Sequence, residues 1–135
     1  MNPGEMPVRR YQITVEDPEY PGTIEAVCVA CGEDLVVVVG GGSRYHCGAV
    51  ALSICIPSLK DPQKRTHSTY QVPVPGHKEE GLAREGSLLL SKALGSSVVM
   101  SVGIHVDDLP KDKITVYTDG FYALVDQIAR AGQGC

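Results

Sequence analysis

Tryptophan is missing from this chain and phenylalanine occurs once, so the aromatic content of 5% rests almost wholly on six tyrosines. A Trp-lined stacking groove is therefore excluded. No apolar run approaches the roughly 20 residues that a bilayer-spanning helix needs, so no membrane partner is expected. Positive charge is in deficit. Twelve Lys and Arg stand against sixteen Asp and Glu, and the net charge of −4 argues against nucleic acid as the main partner. The stretch from Met1 to Arg10 lacks the apolar segment of a signal peptide, which makes the cytoplasm the expected compartment. A second CxxC pair is also missing. Cys28-Val29-Ala30-Cys31 has the spacing, but it lies in a β-like run where residues three apart point to opposite faces. Five cysteines in a cytosolic chain are read as reduced thiols, and no metal site is expected.

What is present describes one domain. At 135 residues with 43% hydrophobic and 21% charged, the chain can bury a real but modest core. Residues 1–10 hold Pro3, Gly4 and Pro7 and are expected to be loosely ordered; residues 11–132 form the domain. Tyr11 to Glu16 alternates as a first strand. Asp17 to Gly22 is a turn cluster, Thr23 to Cys31 a second strand, and Leu35 to Val39 a third, a continuous apolar run expected to be buried on both faces. Short turns between them imply antiparallel pairing.

Cys47 to Pro57 has one bulky face (Val50, Leu52, Ile54, Ile56) and one small face (Ala49, Ala51, Ser53). Ser97 to His105 repeats the contrast with Val98, Met100, Val102 and Ile104 as the bulky set. The expectation is that both bulky faces lie under helices. The small faces would then let another sheet, a second subunit or a flat ligand come close. Ser58 to His67 is read as a polar surface loop with His67 solvated, and Ser68 to Val74 as a strand.

His77 to Leu94 has helical spacing, with Gly81 and Gly86 marking close packing on the sheet and Gly95 as C-cap. Asp107-Asp108-Leu109-Pro110 is read as an acid-capped helix entrance. The helix beyond it carries Ile114, Tyr117, Phe121, Leu124, Val125 and Ile128, with an interruption expected near Asp119 and an end at Gly132. The element order is β-β-β-β-β-α-β-α. The fold class is α+β, a single antiparallel or mixed sheet of about six strands with two helices on one face.

Three glycine-bearing strand edges each carry a histidine: Gly40 to His46, Gly76-His77-Lys78, and Gly103-Ile104-His105-Val106-Asp107-Asp108. Their convergence on one pocket is the central expectation. Glycine N–H groups, Arg44 and Lys78 suit an anion such as phosphate. The frame GxxxxGK[ST] is absent, so this is not a P-loop. His105 with Asp107 would instead suit acid–base chemistry, given a bend that brings residues two apart together. A scaffold reading, in which each His merely ends a strand, stands beside both.

Pro75-Gly76-His77-Lys78-Glu79-Glu80, the run Gly41 to Leu52 and the run Gly103 to Asp108 together resemble the prenylated flavin chaperone LpdD-like domain family. The resemblance extends from Ile24 to Ile128. It implies a non-catalytic helper of a UbiD-type hydroxyarylic acid decarboxylase that assists delivery of prenylated FMN or FMN. It maps the family's positions onto Gly42, His46, Gly48, Gly76, His77, Lys78, Gly103, His105 and Asp107, with Arg44 added from the residues themselves. The fold is also similar to small proteasome assembly chaperones, which dimerise, so a homodimer is expected. The alternatives are an enzyme using His105 and Asp107, and a protein-assembly module without a small ligand.

Overall fold

The alternating apolar residues of the first third pair as a meander. In this computed structural model, described for residues 4–73 and 80–133, β1 (Val8–Val15), β2 (Gly22–Cys31) and β3 (Asp34–Gly42) run antiparallel in chain order. β4 (Arg44–Pro57) pairs with β5 (Arg65–Pro73), and α1 (Glu80–Leu94) follows. β6 (Val98–His105) then inserts between β3 and β4, parallel to the first and antiparallel to the second. A 3₁₀ turn (Lys111–Lys113) leads into α2 (Ile114–Gln133). The sheet order is β1-β2-β3-β6-β4-β5, so the expected six-strand α+β architecture holds. Among the described residues no helix is long and apolar enough to cross a membrane.

Both helices cover one face. The core there is Ile24, Val37, Val39, Met100 and Val102 from the sheet, with Leu90, Phe121 and Leu124 from the helices. On β6 the bulky set Val98, Met100 and Val102 is buried as expected. On β4 the expectation fails: the small set is covered, with Ala49, Ala51 and Ser53 at 0%, 1% and 0% exposure, while Val50, Leu52 and Ile54 are only half-buried and Ile56 is exposed. Register explains this. Ala49, Ala51 and Ser53 stand directly opposite Val102, Met100 and Val98, so large and small side chains alternate across the two strands. The short residues also let α1 settle closely on β4. Ser53 Oγ lies 2.8 Å from Ser87 Oγ and 2.9 Å from Thr69 Oγ1, which satisfies hydroxyls that burial would otherwise penalise. The small face is thus used within the molecule. The other face of the sheet carries exposed Val38, Tyr70 and Val72, so β3 is buried on its helix side and not on both faces as expected.

Several local expectations change. The N-terminal stretch is tied down: Ala30 N–H donates to Pro7 O at 3.0 Å and Gly32 N–H to Glu5 O at 3.3 Å, and β1 starts at Val8. Proline is accepted at this edge because only its carbonyl is used. His67 is within β5 and half-buried, its Nδ1 2.8 Å from Ser91 Oγ, and is not a solvated loop residue. Gly86 does mark close packing, since a Cβ there would come within 2.7 Å of Met100 and Phe121, but Gly81 faces open space. α2 is continuous through Asp119 and includes Gly132; burial of Tyr117, Phe121, Leu124 and Val125 outweighs the weak propensity of Thr115, Val116 and Gly120. The described part of α1 begins at Glu80, and residues 77–79 lie outside the described residues.

The turn cluster at Asp17 does more than turn. Its carboxylate accepts N–H from Glu19 and Tyr20 and pairs with Lys113 Nζ at 2.9 Å, and Tyr117 OH donates to Tyr20 O. This ties the β1–β2 loop to the start of α2.

Candidate functional site

Two of the three glycine-bearing edges meet at one rim of the sheet. β3 and β6 are parallel, so Gly42 and His105 finish side by side, and Arg44 opens β4 opposite the same histidine. The link from β3 to β4 therefore crosses over the end of β6. It does so with Gly42 at φ +81°, a conformation open to glycine at little cost, and a Cβ there would lie 2.2 Å from His105 O. Ser43 clasps the strand end. Its N–H and its hydroxyl both donate to His105 O, at 2.7 and 3.2 Å, and its Oγ accepts Asp107 N–H at 3.0 Å.

Beyond His105 the chain folds back, with Asp108 at φ 55°. His105 and Asp107, two apart, come together where the chain turns after the end of β6. His105 Nε2 lies 2.9 Å from Asp107 Oδ1, and Arg44 Nη2 lies 3.5 Å from the same oxygen. An ionised carboxylate only accepts, so in the neutral imidazole this contact puts the proton on Nε2 and leaves Nδ1 as acceptor. The Arg44 and Asp107 side chains are 70% and 59% exposed, so the pair adds little to stability and leaves the guanidinium reachable by a ligand. Asp107 is thus a partner of His105 and Arg44. The expected acidic helix cap is not formed: Pro110 stands at the N-cap of the 3₁₀ turn without a side-chain cap bond.

His46 comes to the same rim by a different device. Tyr45 pairs with Ile104 and Ala49 with Val102, so β4 takes four steps where β6 takes two. This wide bulge carries His46, Cys47 and Gly48. Its backbone presses on Gly103, where a Cβ would fall 1.5 Å from His46 O, so Gly103 is required by the bulge itself. The His46 and His105 ring centroids are 6.3 Å apart and nearly perpendicular, at 79°. Both His46 ring nitrogens are closed off from solvent. Cys47 Sγ lies 2.9 Å from Ser101 Oγ.

Gly42, Arg44, His46, Gly103, His105 and Asp107 are thus brought together. Gly76, His77 and Lys78 lie outside the described residues. One contributor was missed from the sequence. Ser43 had a signal, since a hydroxyl residue after a glycine run is a common turn clasp.

Among the described residues no group of three His, Cys, Asp or Glu is placed to hold a metal ion. A recess of about 400 Å³ opens at the other end of the sheet between Tyr11, Cys28, Leu35, Leu94 and Ile128, and contains none of the rim residues. Burial pushes the Cys28 thiol up to about 11. Cys28 is buried and Cys31 exposed, as their strand spacing requires, and both are free thiols.

A six-strand mixed sheet with two helices on one face is the fold of a solved chaperone chain. The protein of the structure titled "Crystal Structure of a Novel Chaperone Complex for Yeast 20S Proteasome Assembly" superposes with a TM-score of 0.56 over 93% of this chain and 98% of that one. The identity is 12%, so the likeness is one of fold. Residues 19–133 match the prenylated flavin chaperone LpdD-like domain, and the chain belongs to that family. No curated protein matches it.

Proposed function

We propose that this chain is a non-catalytic, cytoplasmic helper that binds FMN or prenylated FMN at the His46–His105 rim and serves a UbiD-type decarboxylase. The observation that carries this reading is the meeting of His46, His105, Arg44 and Asp107 at one edge, in a chain of this family. A flavin mononucleotide needs a cation for its phosphate and polar groups at its ring edge. Arg44 offers the first, and the His105 imidazole, held through Nε2, offers an acceptor at Nδ1. Gly76, His77 and Lys78, expected from the sequence to serve the same ligand, lie outside the described residues. The flavin itself would supply the ring chemistry only after transfer to the decarboxylase. FMN titrated into the full chain, read by flavin fluorescence, tests the reading. Saturable binding weakened in His105→Ala is expected, and no binding of FMN or its prenylated form sinks it.

The homodimer belongs to the same proposal. The uncovered sheet face presents Val36, Val38, Val99, Leu52, Tyr70 and Val72 across four neighbouring strands with no charge among them. Two such faces stack as a sandwich with an apolar centre. A second copy fits this face because it is self-complementary in character, apolar against apolar. The interface proposed here is the bulky face of β4, since α1 already covers the small one.

The 2.9 Å contact of His105 with Asp107 favours a second reading, an enzyme with an acid–base pair on a small substrate. Loss of turnover in His105→Ala with ligand affinity intact would select it.

A further inference from the structure

Tyr45 stands in the chain between Arg44 and His46, yet its ring leaves the rim and lies over the sheet. A Cβ built on Gly40 would come within 2.7 Å of its Cδ2, 3.1 Å of Cγ and 3.3 Å of Cε2, so the ring rests on the bare glycine. Gly40 is flanked in register by Glu25 on β2 and by Gly103 on β6, and the bulge backbone at His46 is already seated on Gly103. Burial raises the phenol's pKa, and the Glu25 carboxylate raises it further by its charge and by a hydrogen bond that holds the hydroxyl. The ring is therefore fixed at its hydroxyl end and along its glycine side. It is nevertheless 51% exposed. An aromatic face that is both immobilised and open is a stacking surface with its ordering cost already met by the fold.

We propose that Tyr45 is the aromatic wall on which a flat conjugated ring system, the isoalloxazine of the flavin, stacks at this rim. The proposal rests on the flavin-binding reading above and adds a residue to it. Arg44, the preceding residue at the start of β4, is 70% exposed and supplies a cation at the same strand end. Gly40 is then required because any side chain there would lift the ring from the sheet.

FMN is titrated into the full-length wild type, Tyr45→Phe and Tyr45→Ala, with flavin fluorescence as the readout. Tyr45→Phe keeps the ring but loses the Glu25 hydrogen bond and the electron-rich phenol, and is expected to bind within a few-fold of the wild type with a weaker quench. Tyr45→Ala is expected to bind about tenfold more weakly and to lose most of the quench. Equal affinity and equal quench in Tyr45→Ala overturn this inference and leave the flavin reading standing. Absence of FMN binding in the wild type removes both. A Tyr45→Ala protein that loses only its dimer also overturns the inference, because the ring then serves the subunit contact. Should Tyr45→Ala fail to fold, NOEs between flavin ring protons and Tyr45 in the wild-type complex decide: their presence supports the stacking, their absence refutes it.

Discussion

His105 Nε2 and Asp107 Oδ1 lie 2.9 Å apart although one residue separates them in the chain, with Asp108 in a left-handed turn just beyond. The same carboxylate oxygen faces Arg44 across the rim at 3.5 Å. One anion thus orients an imidazole and restrains a guanidinium from neighbouring strands.

If Arg44 meets the ligand's phosphate, Arg44→Gln should weaken FMN binding about tenfold and flatten its dependence on salt. Titrations at low and high ionic strength check this. Riboflavin, which lacks the phosphate, should bind the wild type and Arg44→Gln alike.

Gly103→Ala should destabilise the fold by at least about 3 kcal/mol, because the new methyl meets the His46 carbonyl of the bulge. Gly81→Ala offers the contrast. Among the described residues nothing lies within 4 Å of its Cβ position in α1, so the gain in helix propensity should stabilise by about 1 kcal/mol. Urea denaturation of the two variants measures both signs.

The Lys113 ammonium, hydrogen-bonded to Asp17, holds the Asp17 carboxyl below its ordinary range, with N–H groups of Tyr20 and Glu19 assisting. A folded-state pKa below the unfolded value means stability that is present at neutral pH and is lost as pH falls below about 4. The urea midpoint should fall over that range in the wild type and fall less in Asp17→Asn. Equal slopes would remove the linkage.

Val72→Glu and Val38→Glu place a charge on the open sheet face at positions already exposed in the single chain. Sedimentation should show a dimer for the wild type and a monomer for each variant, with unchanged far-UV circular dichroism. A wild type that sediments as a monomer at micromolar concentration rejects the proposed interface.

Native Cys28, buried and with its thiol pushed up to about 11, should resist iodoacetamide at pH 8 while exposed Cys31 and Cys47 react. Peptide mass mapping before and after unfolding distinguishes them. Labelling of native Cys28 at the rate of Cys31 contradicts the burial.

The strand and helix order was legible because each strand alternates or runs apolar between glycine and proline breakers. Gly42, Arg44, His46, Gly103, His105 and Asp107 were legible as a set, since in the sequence three of the four histidines stand close to glycine where a strand pattern ends. The covered face of β4 was not. Bulk predicts burial only when a strand is considered alone, and here Met100 and Val102 supply the bulk while Ala49 and Ala51 make room beside them. Nor could His67 be placed, because its partner Ser91 is 24 residues away on a helix. The anchoring at Pro7 and Glu5 escaped for a related reason: proline marks a poor donor, but β2 needed only an acceptor.

The late position of β6 in the chain has a consequence for biosynthesis. Residues 8–73 emerge from the ribosome as two separate β units, and the seam between them stays empty until Val98–His105 has been made. Until then β3 and β4 each expose an unpaired edge, and Ser43 has no carbonyl to grip. The rim of Gly42, Arg44, His46 and His105 therefore cannot be assembled before β6 has been made. The sheet closes only when its sixth strand slots into the seam.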